Sequence, residues 1–239
     1  MISFALALSL APNRSGLDAL KRLADATSKW KDVEVYALRW STISVNTPSW
    51  IAEDPFRLFI KDAKTQRYET SSMWGDSLII VMNADKAWID NREGPGQGYV
   101  RMKPPALGNL ISDVTFGDQP SPLWSFLAGS AAMEKLADPE KDVVETKPGE
   151  LRLTSTQFGA MKVTYLPGKE PVLLSLEYDN LPFYKSTAAN FFFDEIPDVK
   201  DPMTRLEIRR RPLRVPKDWF EIKVKTTSRP VVDDEGDRG

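Results

Sequence analysis

The side chains of this chain that could do acid–base or metal chemistry are mostly carboxylates. The sequence contains 34 Asp and Glu residues but no His and no Cys. Zinc sites built from Cys and His, cysteine nucleophiles, Ser-His-Asp triads and disulfide bonds are therefore excluded within the chain. Any general acid or base would have to be Asp, Glu, Lys or Tyr. We predict no metal site.

The candidates for a carboxylate pair lie near a strand end and near turns. Asp194 and Glu195 are adjacent and Asp198 follows closely, whereas the candidates near turns are Asp54, Asp76, Asp85 and Asp90. A glycosidase needs two carboxyl groups held at a defined separation, but acidic residues at turns usually stabilise the turn itself. No nucleophile lies in a visible arrangement with a base. We predict that the protein is not an enzyme, with a carboxylate-based hydrolase as the alternative.

Positive charge is concentrated in the run RLEIRRRPLR at residues 205–214. As a strand, this run would place Leu206 and Ile208 on one face and charged side chains on the other, which is ordinary for a solvated surface. The run could also hold a phosphate, a lipid headgroup or an acidic partner. The formal net charge of the whole chain is −2. This value gives no general attraction to polyanions, so we predict no nucleic-acid partner.

The chain begins with the apolar segment MISFALALSLAP. Its run of about ten apolar residues is shorter than the ~20 that a membrane-spanning helix needs. Small residues alternate with large ones, as in the hydrophobic region of a signal peptide, although the positive residues that usually precede that region are missing. We interpret residues 1–12 as a truncated signal peptide, with an N-terminal strand as the alternative. We predict no transmembrane segment.

Two amphipathic stretches predict helices, and most of the remaining sequence predicts strands. Residues 15–31 place their apolar side chains on one helical face. Residues 121–138 start with Ser-Pro and end before a proline, which is typical of a helix. Strand patterns recur about every ten residues and predict a meandering antiparallel sheet. The predicted strands are 33–45, 56–60, 66–74, 77–82, 87–90, 150–156, 160–166, 172–178, 190–196, 205–210 and 219–225.

The sequence contains no internal repeat and no linker that would divide it. We therefore predict a single domain over residues 13–225, followed by a disordered acidic tail at residues 226–239. Residues 91–122 join the two halves of this domain and are rich in Gly and Pro. A connection of this length is usually functional or disordered. An apolar patch within it, at Leu107, Leu110 and Ile111, favours a lid.

The predicted hairpin SLIIVMNADKAWIDN at residues 77–91 has no polar face. Ile79, Ile80, Val81 and Met82 are consecutive, so apolar side chains must point to both faces of the sheet. Many aromatic residues also lie in the other predicted strands. Two explanations remain open: helices that pack directly on the sheet, or a curved sheet that encloses an apolar cavity beneath helices.

The order of these elements resembles that of the bacterial lipoprotein carriers of the LolA and LolB type. The segments that carry the resemblance are LDALKRLADATSKWKDVEVYALRW, EDPFRLFI, SLIIVMNADKAWIDN, PLWSFLAGS and GAMKVTYLPGKEPVLLSLEY. They are similar to the family's opening helix and first strand, its Pro-aromatic strand, its hairpin, its inserted lid helix and a later hairpin. The resemblance extends over roughly residues 15–225. It implies an α+β fold: a curved antiparallel sheet, or half-open barrel, with an N-terminal helix and an inserted lid helix.

The resemblance also implies a non-catalytic protein of the periplasm or cell envelope that carries no cofactor. Such a protein would bind a lipid, an acyl chain or a lipoprotein in a hydrophobic cavity, as a monomer, and could contact an envelope protein. A structural or assembly protein that uses its sheet faces for partners is a further alternative. The residues predicted to line the cavity are Tyr36, Leu38, Trp40, Phe56, Leu58, Ile60, Ile79, Val81 and Trp88, with Leu107, Leu110, Ile111, Trp124 and Leu127 from the lid.

Overall fold

The structure, a computed structural model, describes residues 14–42, 50–52, 55–71, 77–91, 98–114, 121–179 and 203–222. These residues form four helices and twelve strands. The helices are α1 (Arg14–Ser28), α2 (Leu107–Val114), α3 (Leu123–Ala128) and α4 (Ser130–Leu136). The strands are β1 (Val33–Thr42), β2 (Trp50–Ala52), β3 (Phe56–Ile60), β4 (Thr65–Ser71), β5 (Ser77–Asn83), β6 (Lys86–Asn91), β7 (Tyr99–Met102), β8 (Val144–Lys147), β9 (Glu150–Ser155), β10 (Gly159–Leu166), β11 (Val172–Asp179) and β12 (Met203–Pro212).

All twelve of these strands belong to one antiparallel sheet. Its order is β7-β6-β5-β4-β3-β1-β12-β11-β10-β9-β8, and β2 pairs with the end of β1. Within the described residues β7 and β8 are the two edges, so the sheet stays open. Strand β1 lies between an N-terminal meander on one side and a C-terminal meander on the other. This open, curved sheet with its helices confirms the predicted α+β class.

Helix α1 forms because one of its faces is apolar. Ala19, Leu20, Leu23 and Ala24 recur at helical spacing, and all four are buried. Thr27 is also buried on this face, where its hydroxyl donates a hydrogen bond of 2.8 Å to the carbonyl of Leu23. The polar group is therefore satisfied without interrupting the apolar stripe, and the stripe packs into the main core.

The prediction of one helix over residues 121–138 is wrong in one respect, because this segment forms two helices. Helix α3 ends at Ala128 and α4 begins at Ser130. Between them Gly129 has φ 95° and ψ −174°, a conformation that is almost restricted to glycine. The backbone N–H of Ser130 then donates to Oδ1 of Asp25 at 3.1 Å, so a carboxylate of α1 caps the start of α4.

The strand prediction is wrong at the C-terminal end of the described chain. Residues 219–222 are not a strand, because residues 217–220 form a turn. The predicted strand at 190–196 lies outside the described residues, as do residues 1–12 and 226–239. Strands β2, β7 and β8 were not predicted. Among the described residues, no helix is both long enough and apolar enough to cross a membrane.

One face of the sheet carries the main core. The register aligns Val35 with Leu58, Leu58 with Tyr68, Tyr68 with Ile80, and Ile80 with Ile89. These five side chains, on five adjacent strands, are fully buried and share one cluster with the apolar faces of α1 to α4. We call this side of the sheet the helix-covered face. The opposite side, to which Glu34 and Tyr36 point, is the outer face.

Candidate functional site

The nine strand residues that were predicted to line one cavity lie on two faces of the sheet. Phe56, Leu58 and Ile60 are on the helix-covered face and are buried. The other six point to the outer face, and they are Tyr36, Leu38, Trp40, Ile79, Val81 and Trp88. Successive side chains along a strand point to opposite faces of the sheet. A set of lining residues that is shifted by one position along its strand therefore lies on the opposite face. The structure therefore does not bring the nine residues together.

The five predicted lid residues lie on α2 and α3, over the helix-covered face. Leu107, Leu110 and Ile111 are buried on one side of α2. Trp124 and Leu127 of α3 are partly buried and pack against the same core. The apolar patch in the predicted connection is therefore a helix. We call α2 and α3 together the lid.

Three aromatic rings join the lid to the sheet. The ring centroid of Trp124 lies 5.7 Å from that of Phe56 and 6.0 Å from that of Tyr68, and the latter two are 5.5 Å apart. Tilted and edge-to-face pairs of this kind are favourable. Burial raises the pKa of the Tyr68 hydroxyl to about 12. The hydroxyl therefore stays neutral at physiological pH, so the group beneath the lid carries no charge.

A cavity of about 140 Å³ lies between the C-terminal end of α1, the lid and strands β3 to β5. Ser28 and Gln66 are the polar residues among its lining. Its apolar walls include Trp30, Ile60, Met82, Leu107, Trp124 and Leu127. Four of the predicted site residues thus meet at one apolar cavity: Ile60, Leu107, Trp124 and Leu127.

The two lid helices approach each other closely at Gly108. A Cβ at this position would lie 2.5 Å from the Cβ of Trp124, so the approach requires glycine. The indole Nε1 of Trp124 is buried, and none of the described residues accepts a hydrogen bond from it. An unsatisfied buried donor costs about 1–3 kcal/mol. Within the part of the chain that the structure describes, this N–H group of the lid therefore has no acceptor. The prediction missed Gly108, although a glycine inside an apolar helical pattern is a recognisable signal of close packing.

The outer face is covered over β3 and β4 by residues 213–222, which follow β12 and which we call the strap. The Trp219 ring packs edge-on against Phe59, with a centroid distance of 5.6 Å and an interplanar angle of 69°. The guanidinium carbon of Arg67 lies 4.3 Å from the centroid of the Trp219 ring. Such a cation–π contact is attractive. These contacts hold the strap against two adjacent strands.

The strap also reaches β5, where it helps to cover the second apolar face of the hairpin at residues 77–91. Asn83 donates from Nδ2 to the carbonyl of Phe220 at 3.4 Å. Phe220 and Val81 are both buried, yet neither belongs to the core under the helices. Beside them, a Cβ on Gly98 would overlap the indole ring of Trp88. The hairpin has no polar face because helices cover one side and the strap and the Gly98 region cover the other.

At the centre of the outer face, two arginines hold one buried carboxylate. The Glu34 side chain is 4% exposed. Arg57 donates to its Oε1 from Nη2 at 2.6 Å, and Arg211 donates to both of its oxygens at 2.8 Å. Burial raises the pKa of Glu34, but the hydrogen bonds from Arg211 and Arg57 outweigh it, so the pKa lies below its usual value. Glu34 is therefore ionised at neutral pH.

The candidate carboxylates of the hydrolase alternative are mostly beyond the described residues. Asp54, Asp76, Asp194, Glu195 and Asp198 all lie outside them. Of the remaining two, Asp85 is exposed in a turn, whereas Asp90 is mostly buried on β6. Within the ranges that the structure describes, no group of three or more acidic residues could hold a metal ion. The described carboxylates therefore give the hydrolase alternative no support.

No protein-family model matches the sequence, and a search of curated proteins finds no significant match. The search of solved structures finds chains with a similar arrangement and low sequence identity. A LolA superfamily protein from Nitrosomonas europaea is 8% identical, with a TM-score of 0.34, and the match covers 88% of this chain and 97% of that one. A DUF1329 family protein from Desulfovibrio piger is 13% identical, with a TM-score of 0.35 and coverage of 88% and 97%. A Vibrio parahaemolyticus domain, described as an outer membrane lipoprotein-sorting protein, is 10% identical, with a TM-score of 0.31 and coverage of 86% and 96%. TM-scores below 0.5 do not transfer a function to this chain.

Proposed function

We propose that this chain is a non-catalytic protein of the cell envelope that binds a lipid, an acyl chain or an acylated protein beneath its lid. The observation that carries the proposal is the apolar cavity of about 140 Å³ between α1, the lid and the sheet. Its walls come from both layers of the fold, so a ligand there would contact helices and strands together. The envelope location rests on the apolar N-terminal segment and on the resemblance of the sequence to lipoprotein carriers.

The size of the cavity implies that the lid moves when a ligand binds. Ligand pockets usually measure about 300–1,000 Å³, which is more than the 140 Å³ found here. Helix α2 has only eight residues and buries Leu107, Leu110 and Ile111. A helix this short is not stable alone in water and depends on those contacts. An acyl chain that enlarges the cavity would replace apolar contacts of α2 with contacts to the ligand.

Trp124 favours a ligand whose apolar chain carries a polar group. Its ring lines the cavity, and its buried Nε1 finds no acceptor within the described residues. A carboxylate or ester oxygen that enters as the lid moves could accept this hydrogen bond and remove the cost of the unsatisfied donor. The apolar walls would then contact the hydrocarbon chain, which is the combination that a fatty acyl group offers.

Binding of a fluorescent fatty acid to the purified protein tests the proposal. We expect saturable binding, and acyl lipid in an organic extract of the freshly purified protein. Leu127→Trp places a larger side chain at the cavity wall and should weaken probe binding about tenfold, or by about 1.4 kcal/mol. Leu166→Trp is the matched control, because Leu166 is 56% exposed on the surface.

The possible results separate the proposal from its alternatives. A protein that binds no probe and releases no lipid would exclude an acyl-binding function. Equal loss of binding in both tryptophan variants would place the probe away from the lid cavity. Urea unfolding of both variants shows whether a loss of binding reflects a loss of fold.

A further inference from the structure

A second hollow, lined largely by arginines, lies on the outer face of the sheet. Its volume is about 430 Å³. It is lined by Glu34, Tyr36, Arg57, Arg209, Arg210 and Arg211. Because the lid packs on the helix-covered face, the sheet separates this hollow from the lid cavity. The two sites are therefore distinct.

The register of three adjacent strands builds this hollow. Tyr36 on β1 lies between Arg57 on β3 and Arg209 on β12. In the next row of the same face, Glu34 lies beside Arg211. Neighbouring strands are about 4.8 Å apart, so Arg57 and Arg209 rise from the sheet about 10 Å apart. Two long side chains at this separation can converge on one small anion between them.

Glu34 positions two of the arginines without using all their donors. Arg211 binds its carboxylate through Nε and Nη2, and Arg57 does so through the same two atoms. Each guanidinium group has five N–H donors, so most of them remain for another acceptor. The Arg57 and Arg211 side chains are 42% and 66% exposed. Their remaining donors are therefore accessible to a ligand in the hollow.

Arg209 adds a positive charge that no carboxylate among the described residues neutralises. Glu207, the nearest acidic residue on the same face of β12, instead pairs with Arg205 at 3.0 Å. The guanidinium of Arg210 stacks over the Trp30 ring, 5.3 Å from its centroid. Counting Arg57, Arg209 and Arg211 against Glu34, the outer-face side chains of the hollow carry two net positive charges. This local excess contrasts with the chain's formal net charge of −2.

We propose that this hollow binds a phosphate group. The planar forks of Arg57, Arg209 and Arg211 match phosphate oxygens, to which guanidinium groups donate paired hydrogen bonds. The hydroxyl of Tyr36 adds a further donor between Arg57 and Arg209. The ligand is a phosphate ester, either free in solution or in the headgroup of a phospholipid. The two sources share the same recognition chemistry and differ in what is attached to the phosphate.

A larger groove beside the hollow has room for the remainder of such a ligand. The groove measures about 910 Å³, lies between α1 and the loop that joins β10 to β11, and shares Arg210 and Arg211 with the hollow. Its charged lining also favours anions, with six basic side chains against Asp25, Asp32 and Glu170. The basic side chains are Arg22, Lys29, Lys31, Lys169, Arg210 and Arg211.

The proposal is tested by titrating the full chain with inorganic phosphate and with glycerol 3-phosphate. The titrations are monitored by amide NMR at constant ionic strength. We expect saturable shifts centred on β1, β3 and β12. Arg209→Ala should weaken binding about tenfold, since it removes charge-assisted hydrogen bonds. Arg152→Ala is the matched control, because Arg152 lies on the outer face of β9, away from the hollow, with a side chain that is 65% exposed. The control should bind like the wild type.

Flotation with vesicles of phosphatidylglycerol, compared with vesicles of phosphatidylcholine, separates the two sources of the phosphate. The site is assigned to a lipid headgroup if the protein binds phosphate and also floats with phosphatidylglycerol vesicles, and if Arg209→Ala abolishes this flotation. Phosphate binding without flotation assigns it to a soluble ester. Absence of saturable phosphate binding overturns the proposal, whatever the vesicles show. Equal affinity of the Arg209→Ala and Arg152→Ala variants overturns it as well.

Discussion

Arg67 and Trp219 are 152 residues apart in the sequence and contact each other on the outer face of the sheet. The Arg67 side chain donates from Nη1 to the carbonyl of Trp219 at 3.2 Å, and its guanidinium carbon lies 4.3 Å from the Trp219 ring centroid. The same guanidinium donates from Nε to Glu69 at 2.6 Å. One arginine therefore fixes both the backbone and the ring of the strap, which makes the strap an integral part of the fold.

Trp219→Ala should lower the free energy of unfolding by about 3 kcal/mol, the lower end for loss of a tryptophan, because it removes a half-buried ring that packs on Phe59 and beneath Arg67. Urea unfolding measures the change. Leu166→Ala serves as the control, since Leu166 is 56% exposed and its loss should alter stability by less than about 0.5 kcal/mol. Equal stability of the two variants would show that the strap is not held by this contact.

Gly108→Ala should separate the two helices of the lid, because the new Cβ would lie 2.5 Å from the Cβ of Trp124. Such overpacking typically costs about 1–3 kcal/mol. Gly168→Ala is the matched control, since no atom lies within 4 Å of a Cβ at that position. Thermal unfolding compares the two variants. A Gly108→Ala protein as stable as its control would mean that the lid helices adjust without cost.

Gly129→Ala should destabilise the protein for a different reason, which is backbone strain. Its φ of 95° and ψ of −174° are nearly inaccessible to alanine, whereas the nearest side-chain atom is at an ordinary 3.5 Å. Strain of this kind costs about 1–3 kcal/mol. Chemical denaturation of Gly129→Ala, again beside Gly168→Ala, measures it. The expectation fails if both alanine variants unfold at the same urea concentration.

Glu34→Gln should make the protein's stability less sensitive to acid. Hydrogen bonds from Arg211 and Arg57 hold the pKa of Glu34 below its usual value in spite of burial, which raises it. A lowered pKa contributes stability that is fully present above the unfolded pKa of about 4.3. This contribution is lost as the pH falls through the folded pKa. The wild type should therefore exceed the variant in stability at pH 7, and the gap should narrow as the pH falls below about 4. A constant difference between pH 7 and pH 3 would contradict this account.

The fold class and most elements could be predicted from the sequence because they depend on local patterns. The mostly apolar run FRLFI predicted β3 with its observed bounds, and the apolar stripe of residues 15–31 predicted α1 to within a few residues. The break at Gly129 could not be predicted in the same way. A glycine within an apolar helical pattern is often tolerated, and only the packing of α4 on α1 requires the unusual backbone angles.

The candidate site could be predicted only in part, because strand patterns do not tell which face meets which layer. In the hairpin, Ile80 and Val81 are equally apolar and both are buried, but they point to opposite sides of the sheet. The lid residues were more predictable, because Leu107, Leu110 and Ile111 have helical spacing that selects one side. Their role as ligand contacts stays a prediction.

The segment WFEIKVK at residues 219–225, which begins within the strap, predicts a strand because apolar and polar residues alternate from Phe220 onwards. Alternation shows that one side of a segment is covered, but it does not show that the backbone pairs with a neighbour. Pro216 lacks the N–H group that a strand ladder needs, and residues 217–220 directly after it form a turn. Trp219 instead packs its ring on Phe59 of the outer face, and Phe220 beside it is buried.

The central position of β1 also has a consequence for how the chain reaches its native state. Glu34 on β1 and Arg211 on β12 are 177 residues apart, and their strands lie side by side. Such pairing requires the closure of a very long loop, which slows folding. On a ribosome, β1 emerges long before β12 and must wait for it to be synthesised. Until then its edge stays unpaired and open to association with other chains.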